Sequence, residues 1–250
     1  MLRVLLTGRL TVTDGERTVD ETSMPGTLGR ATFAVLALER QRVAHDVLAD
    51  RLWGEAPPAG WSKSLPPIIS KLRARLRDLD DGSGVPTIEA RDGGYALALP
   101  PSVWIDVEDA ARRLDRAEAA LRKDELDAAW PDAAAATAIL RRPFLIGVDS
   151  RWADDVRSQL ADRRHRAWLV VAEVWRRRGD HQLARTAAAA AIDADPYRED
   201  GHRLLVEVEL ASGNRASAQR AGRRCLELLR DDLGVEPSEQ TLELLRRAGA

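Results

Sequence analysis

A repeat in the second half of the chain is the feature that most restricts its fold. The stretches RRRGDHQLARTAAAAAI and LASGNRASAQRAGRRCL superimpose with an offset of 34 residues, which aligns Gly179 with Gly213 and Ala184 with Ala218. Helix-breaking residues divide the chain beyond residue 104 into segments of helical length, and they stand at Pro143, Gly179-Asp180, Pro196, Ser212-Gly213 and Gly234. One helix pair of this kind cannot bury its apolar face alone, so neighbouring pairs must stack.

A helix, a turn and a second helix in every 34 residues, with small residues where the helices cross, are typical of tetratricopeptide repeats. A weaker copy lies around LRKDELDAAW and ILRRP, residues 121–143. We therefore expect residues 105–250 to form an all-α repeat domain with a continuous core and a concave surface for a partner.

The first hundred residues predict a different architecture. Asp14-Gly15 and Asp92-Gly93-Gly94 each separate two β-prone runs, so each predicts a hairpin. Between them lie three helical patterns: one with Thr27 as N-cap and Leu28, Ala31, Val35 and Leu38 on one face, one near residues 45–53 that ends at Gly54, and a basic one. This order is typical of a winged helix-turn-helix, in which the third helix enters the major groove. We expect an α+β winged helix-turn-helix with a small antiparallel sheet over residues 1–99, and a linker at 100–104.

The third helical pattern, SLPPIISKLRARLR, combines an apolar stripe with a basic face. Five cations fall within residues 63–77, and no acidic residue occurs from 56 to 77. This density of positive charge is sufficient for a surface that binds several DNA phosphates. We expect phosphate contacts from Lys63, Lys71, Arg75 and Arg77, and base-edge contacts from Ser64, Ser70 and Arg73.

Two adjacent prolines stand at the front of this basic pattern. Proline is tolerated in the first turn of a helix, where the backbone N–H groups have no intrahelical acceptor. Proline also pushes the residue before it, here Leu65, toward an extended conformation. We therefore predict that the helix begins near Pro66 and not near Trp61.

The overall charge identifies no partner. The chain has 38 Lys and Arg and 40 Asp and Glu, and its first hundred residues hold 13 of each sign. Any nucleic-acid surface must therefore be local, and the basic run could also be an ordinary solvated helix face. The double proline and the neutral first hundred residues leave an alternative open. In that alternative the chain is a protein-interaction module whose helix-turn-helix no longer binds DNA.

No enzymatic pattern is present. The sequence has no glycine-rich phosphate loop, no nucleophile elbow and no Cys/His metal spacing. The histidines are scattered, and we expect most of them on polar helix faces: His45, His165, His181 and His202. Trp152, Trp168 and Trp175 could line a small-molecule groove. Trp168 and Trp175 are seven residues apart, however, which favours core packing. We expect no catalysis, metal or cofactor.

The single cysteine and the lack of apolar runs indicate the compartment. Cys225 cannot form an internal disulfide, which fits a reducing cytoplasm, and we expect it to be buried on a helix. No apolar stretch approaches the ~20 residues of a membrane span. We expect a soluble, cytoplasmic protein with no membrane partner.

Five segments of the chain match a known family: DVLADRLWGEAPPA (46–59), SKLRARL (70–76), ARDGGYAL (90–97), DADPYREDGHRLLVEVELASGNRASAQ (193–219) and LLRDDLGVEPSEQTLELL (228–245). The DPYRED and LGVEPS segments are the most specific of these. Nearly the whole chain thus resembles the actinobacterial antibiotic regulatory protein (SARP) activators, which combine an OmpR-like winged helix with a bacterial transcriptional activator domain.

The resemblance implies a sequence-specific transcription activator. Such proteins bind direct repeats in promoter DNA as side-by-side protomers and recruit RNA polymerase. By the resemblance, the DNA-facing helix covers residues 65–77, Lys71 and Arg73 match its basic pair, and Arg91 matches a basic wing residue. The loop from Gly54 to Trp61, which includes Glu55, resembles the segment that contacts the polymerase.

Overall fold

The computed structural model of the chain describes residues 1–79 and 86–249. It divides into two compact units, Met1–Asp109 with Arg142–Gln159, and Ala110–Arg141 with Leu160–Ala250. The strands are β1 (Arg3–Leu5), β2 (Thr11–Thr13), β3 (Thr18–Asp20), β4 (Val43–Ala44), β5 (Thr87–Arg91), β6 (Gly94–Ala98) and β7 (Trp104–Ile105). The helices are α1 (Gly26–Glu39), α2 (His45–Trp53), α3 (Trp61–Leu76), α4 (Asp106–Arg122), α5 (Leu126–Leu140), α6 (Arg151–Arg177), α7 (His181–Ala194), α8 (Glu199–Ala211), α9 (Arg215–Leu233) and α10 (Glu239–Ala248).

The first sheet of the first unit has the strand order β3-β2-β1-β7. The strands β1, β2 and β3 are antiparallel, which confirms the hairpin predicted at Asp14-Gly15. The strand β7 pairs parallel to β1 and begins at Trp104. The segment at 142–145 also reaches this sheet, because Thr7 bridges Phe144 and the N–H of Gly8 donates to the carbonyl of Pro143 at 2.7 Å.

A fully buried carboxylate ties these segments together. The Oδ1 atom of Asp106 accepts from the backbone N–H groups of Leu6 at 2.9 Å and Val107 at 2.8 Å. The Oδ2 atom accepts from the N–H of Thr7 at 3.0 Å and from its hydroxyl at 2.7 Å. The guanidinium of Arg142 lies 3.5 Å from the same oxygen. Every group around the carboxylate is a donor, so an ionised aspartate satisfies them all.

The remaining elements of the first unit form the winged helix-turn-helix that the sequence predicts. Helices α1, α2 and α3 pack on one another, and a second sheet of order β4-β6-β5 carries the wing hairpin. Helix α2 ends at Gly54 as expected. The prediction of Thr27 as N-cap is wrong, because α1 already begins at Gly26 after Pro25.

The predicted start of the basic helix is also wrong. Helix α3 begins at Trp61 and contains both prolines. The preceding loop stabilises the first turn of α3, because the N–H of Trp61 donates to the carbonyl oxygen of Pro58 at 3.0 Å. Leu65 is buried and adds one turn to the stripe of Ile69, Leu72 and Leu76. Packing of Leu65 in the core therefore offsets the local preference of a residue before proline for an extended conformation.

The prolines cost the helix two hydrogen bonds at most. They have no N–H groups, so the carbonyls of Ser62 and Lys63 lack their usual donors four residues later. Both of these residues are exposed, and water can take the place of the missing donors. Beyond Leu76 the chain continues as one 3₁₀ turn, Arg77–Leu79.

In the second unit the 34-residue offset is visible in the helix starts. Asp180 and Asn214 cap α7 and α9 in the same way, each accepting from the N–H three residues later. The glycines before these caps, Gly179 and Gly213, both have left-handed backbones, with φ of 80° and 75°. The predicted tetratricopeptide-like helical architecture is confirmed. None of the helices in the described part of the chain has the length and apolarity needed to cross a bilayer.

Two histidines lie in the interior of this unit, contrary to the prediction of polar faces. His165 and His202 are buried. The ring of His165 links three helices, with Nδ1 2.9 Å from the carbonyl oxygen of Ala191 and Nε2 2.7 Å from Oδ1 of Asp200. A single sequence cannot distinguish such a histidine from an exposed one, because its partners lie on other helices.

The tryptophans and the cysteine contribute to packing. Trp175 meets Trp130 edge-to-face with ring centroids 4.8 Å apart, and Trp152 meets Phe144 at 6.0 Å. Cys225 is buried, and burial raises the pKa of its thiol to about 11. At neutral pH the thiol is therefore protonated and a poor nucleophile.

We expect Asp106→Asn to destabilise the first unit by about 3 kcal/mol, because the new amide nitrogen must face donors whichever way the side chain turns. Urea unfolding followed by tryptophan fluorescence measures the change. The matched substitution Asp231→Asn, at an exposed position on α9, should leave the midpoint unchanged. Equal midpoints for the two variants would contradict the role of Asp106.

The stability of the second unit should depend on pH through Asp200. Burial raises the pKa of this carboxyl, but the hydrogen bond and charge of His165, with Arg198, outweigh burial and hold the pKa below its ordinary value. A carboxyl with a lowered folded-state pKa stabilises the fold above its unfolded pKa of about 3.9. This stabilisation is lost as the pH falls below that value.

We therefore expect wild type to be more stable than Asp200→Asn above about pH 5, and the difference to shrink below about pH 4. Thermal unfolding followed by circular dichroism across this range measures it. The exposed control Asp193→Asn should show no such trend. A difference for Asp200→Asn that stays constant down to pH 3 would contradict the assignment.

Candidate nucleic-acid interface

Helix α3 has one buried face and one polar, exposed face. Leu65, Ile69, Leu72 and Leu76 are at most 1% exposed and recur at helical spacing. The residues predicted to contact DNA are exposed with one exception, and the exposed set is Lys63, Ser64, Ser70, Lys71, Arg75 and Arg77. The prolines are exposed as well. The amphipathic pattern thus brings the predicted cations and serines onto one accessible surface.

The cations on this surface have no anionic partner among the described residues. No carboxylate of residues 1–79 or 86–249 lies within ion-pair distance of Lys63, Lys71, Arg75 or Arg77. Several guanidinium groups elsewhere are neutralised locally: Arg113 and Arg116 by Asp132, Arg157 by Asp154, Arg166 by Glu118, Arg176 and Arg177 by Glu173, and Arg185 by Glu209. The α3 surface therefore retains a concentrated positive charge that attracts anions.

Arg73 is the exception among the predicted contact residues. It is half-buried, and its Nε donates to the carbonyl oxygen of Ile88 at 2.7 Å. Ile88 lies on β5, the edge strand of the second sheet. Arg73 thus joins the basic helix to the wing and satisfies an edge carbonyl.

The wing is a tight hairpin, as the sequence predicts. Arg91 pairs with Gly94 across a two-residue turn, and Asp92 and Gly93 both have positive φ, 42° and 73°. This combination is the one that matches the twist of a hairpin. Gly94 is required for another reason, because a Cβ atom there would lie 2.4 Å from the carbonyl oxygen of Val43 on β4.

Two arginines stand at the tip of the wing. Arg91 is exposed and forms an ion pair with Glu89 at 3.2 Å. An exposed pair of this kind is weak and can exchange for a phosphate. Arg42 donates to the carbonyl oxygen of Asp92 at 3.0 Å and is also exposed. The sequence analysis missed Arg42, since only the pairing of β4 with β6 brings it to the wing.

The loop between α2 and α3 is exposed from Glu55 to Gly60. Left-handed glycines stand at its two ends, Gly54 with φ 64° and Gly60 with φ 80°. Gly54 and Glu55 line a polar cavity of about 310 Å³ together with Asp50, Arg51, Arg151, Trp152 and Asp155. Trp61, the last residue of the predicted polymerase-contacting segment, is half-buried as the first residue of α3.

Residues 105–247 match the family described as the bacterial transcriptional activator domain. Over 226 residues the chain is 30% identical to the regulatory protein AfsR of Streptomyces coelicolor, an alignment covering 87% of this chain and 21% of AfsR. It is 28% identical over 229 residues to the transcriptional regulatory protein EmbR of Mycobacterium tuberculosis, covering 89% of this chain and 58% of EmbR.

The fold has a solved counterpart. A structure of Mycobacterium tuberculosis EmbR in complex with a low-affinity phosphopeptide matches with a TM-score of 0.84 at 25% identity. The match covers 99% of this chain and 64% of that chain. The chain therefore spans about a fifth of the length of AfsR and less than two thirds of EmbR.

Proposed function

Because the chain belongs to the family of proteins with a bacterial transcriptional activator domain, as its resemblance to the SARP-type activators predicts, we propose that it binds promoter DNA and activates transcription. In this proposal residues 1–99 form the DNA-binding domain and residues 105–250 form the helical bacterial transcriptional activator domain. Residues 100–104 are the linker between them. The DNA would contain direct repeats occupied by side-by-side protomers, which recruit RNA polymerase.

The observation that carries the proposal is the positive charge of the α3 surface, which no carboxylate of the described residues neutralises. Lys63, Lys71, Arg75 and Arg77 are exposed without carboxylate partners among the described residues, while many guanidinium groups elsewhere are paired. An unneutralised basic helix in the third position of a winged helix-turn-helix suits the phosphates on either side of a major groove. The double proline offers no objection, because α3 forms around it.

We assign the neighbouring positions by where their side chains point. Ser64 and Ser70 are exposed on α3 and face base edges in the proposed complex. Arg73 acts mainly by holding the wing through Ile88. Arg91, with Arg42 beside it, contacts the backbone from the wing tip.

The salt dependence of DNA binding tests this assignment. Each phosphate contact contributes about −0.9 to the slope of log affinity against log salt, so the double variant Lys71→Ala/Arg75→Ala should flatten the slope by roughly two units. The loss should be similar on all DNA sequences, because phosphates carry no sequence information. Fluorescence anisotropy at several salt concentrations, on DNA from upstream of its own and neighbouring genes, measures both effects.

The chain offers a matched control for this experiment. Arg122→Ala/Lys123→Ala also removes one arginine and one lysine, both exposed, from the second unit. It should leave the slope unchanged. If both double variants bind DNA like wild type, the placement of α3 in the groove is wrong. If wild type shows no salt-dependent DNA binding, the chain is an interaction module and the proposed function is wrong.

The polymerase-contacting role is assigned to the loop from Gly54 to Trp61. Glu55 is exposed in this loop, which precedes α3, and so it lies outside the basic helix. We expect Glu55→Ala to reduce reconstituted transcription several-fold while DNA affinity stays at the wild-type value. In vitro transcription, with anisotropy on the same promoter fragment, separates the two effects. A parallel loss of DNA binding would place this loop on the DNA and not on the polymerase.

A further inference from the structure

Pro67 and Ala74 lie at the centre of the exposed face of α3. The opposite side of the helix is the buried stripe that includes Leu65 and Leu72. Seven residues at 3.6 residues per turn bring Ala74 to within about 20° of Pro67 around the helix axis. Both residues are exposed. Small side chains without hydrogen-bonding groups therefore occupy the part of the face that projects farthest from the core.

Side chains that read bases through paired hydrogen bonds are scarce on this face. Residues 61–79 contain no Asn, Gln or Glu. These three, with arginine and lysine, make the usual paired hydrogen-bond contacts to base edges, and both lysines of the helix are assigned to phosphates. Arg73 is engaged by the carbonyl of Ile88, and Arg75 lies about a quarter turn from the centre of the face. Ser64 and Ser70 each contribute only a single hydroxyl, so hydrogen bonds from α3 discriminate weakly between bases.

We propose that α3 selects its DNA through the 5-methyl groups of thymine, which Pro67 and Ala74 contact in the major groove. This inference rests on the proposed DNA-binding function. Thymine is the base that presents an apolar group there, and small apolar side chains are its complement. The two residues are about 10.5 Å apart along the helix axis, which corresponds to about three base-pair steps. The preferred ligand is duplex DNA with two contacted thymines at about that spacing in each protomer's site.

The test begins with selection of binding sites from a random duplex library by the full chain. Each thymine of the selected site is then replaced singly by deoxyuridine, which deletes the methyl group and keeps base pairing intact. In each protomer's site we expect two positions about three base pairs apart to lose about fourfold in affinity, the value of one buried methyl group. The other positions should be unaffected.

Protein variants assign each methyl group to its partner. Pro67→Ser should weaken the deoxyuridine effect at one sensitive thymine, because it puts a polar group against the methyl, and Ala74→Ser should weaken it at the other. Lys71→Ala should lower affinity for the thymine and deoxyuridine duplexes by the same factor, since it contacts phosphate. Selective, salt-dependent binding with no deoxyuridine-sensitive position would overturn the inference and leave the proposed function standing. Failure to select any site would overturn both.

Discussion

The buried carboxylate of Asp106 is the interaction on which the first unit depends. It accepts hydrogen bonds from the end of β1 and from the first turn of α4, and it lies beside Arg142, which arrives from 36 residues later in the chain. A carboxylate surrounded by donors is stabilised only while all of them stay in place, so the interaction fixes three distant segments together. The first sheet is thereby built from segments that are far apart in sequence.

Helix α3 shows the same dependence of local structure on distant packing. By local rules the prolines should begin the helix, and yet the buried side chain of Leu65 extends it by a turn toward Gly60. The hydrogen bond from Arg73 to Ile88 then couples the helix to the wing. Helix α3 and the wing, the two elements proposed to contact DNA, are therefore fixed relative to each other before DNA binds.

Most of the fold could be predicted from periodicity, because its elements carry strong local signals. The hairpin at Asp92-Gly93, the end of α2 at Gly54 and the 34-residue repeat were all expected and are present. What could not be predicted depends on contacts between distant segments. No local pattern links residues 142–159 to the first unit, brings Arg42 to the wing, or buries His165 beside Asp200. The start of α3 could have been predicted, since Leu65 lies four residues before Ile69 and continues the same stripe.

The candidate site follows a similar division. Its cations were visible in the sequence, whereas the engagement of Arg73 by a backbone carbonyl was not. On the proposed DNA face, the charged residues provide affinity and the small apolar residues provide selectivity. Lys71 and Arg75 are long and flexible, and they suit phosphates whose positions vary little with sequence. The side chains of Pro67 and Ala74 lose almost no conformational entropy on binding. Even a weak apolar contact from them therefore keeps its favourable free energy. A proline within the helix is unfavourable for local hydrogen bonding, but its rigid apolar ring suits contact with a thymine methyl group in the major groove.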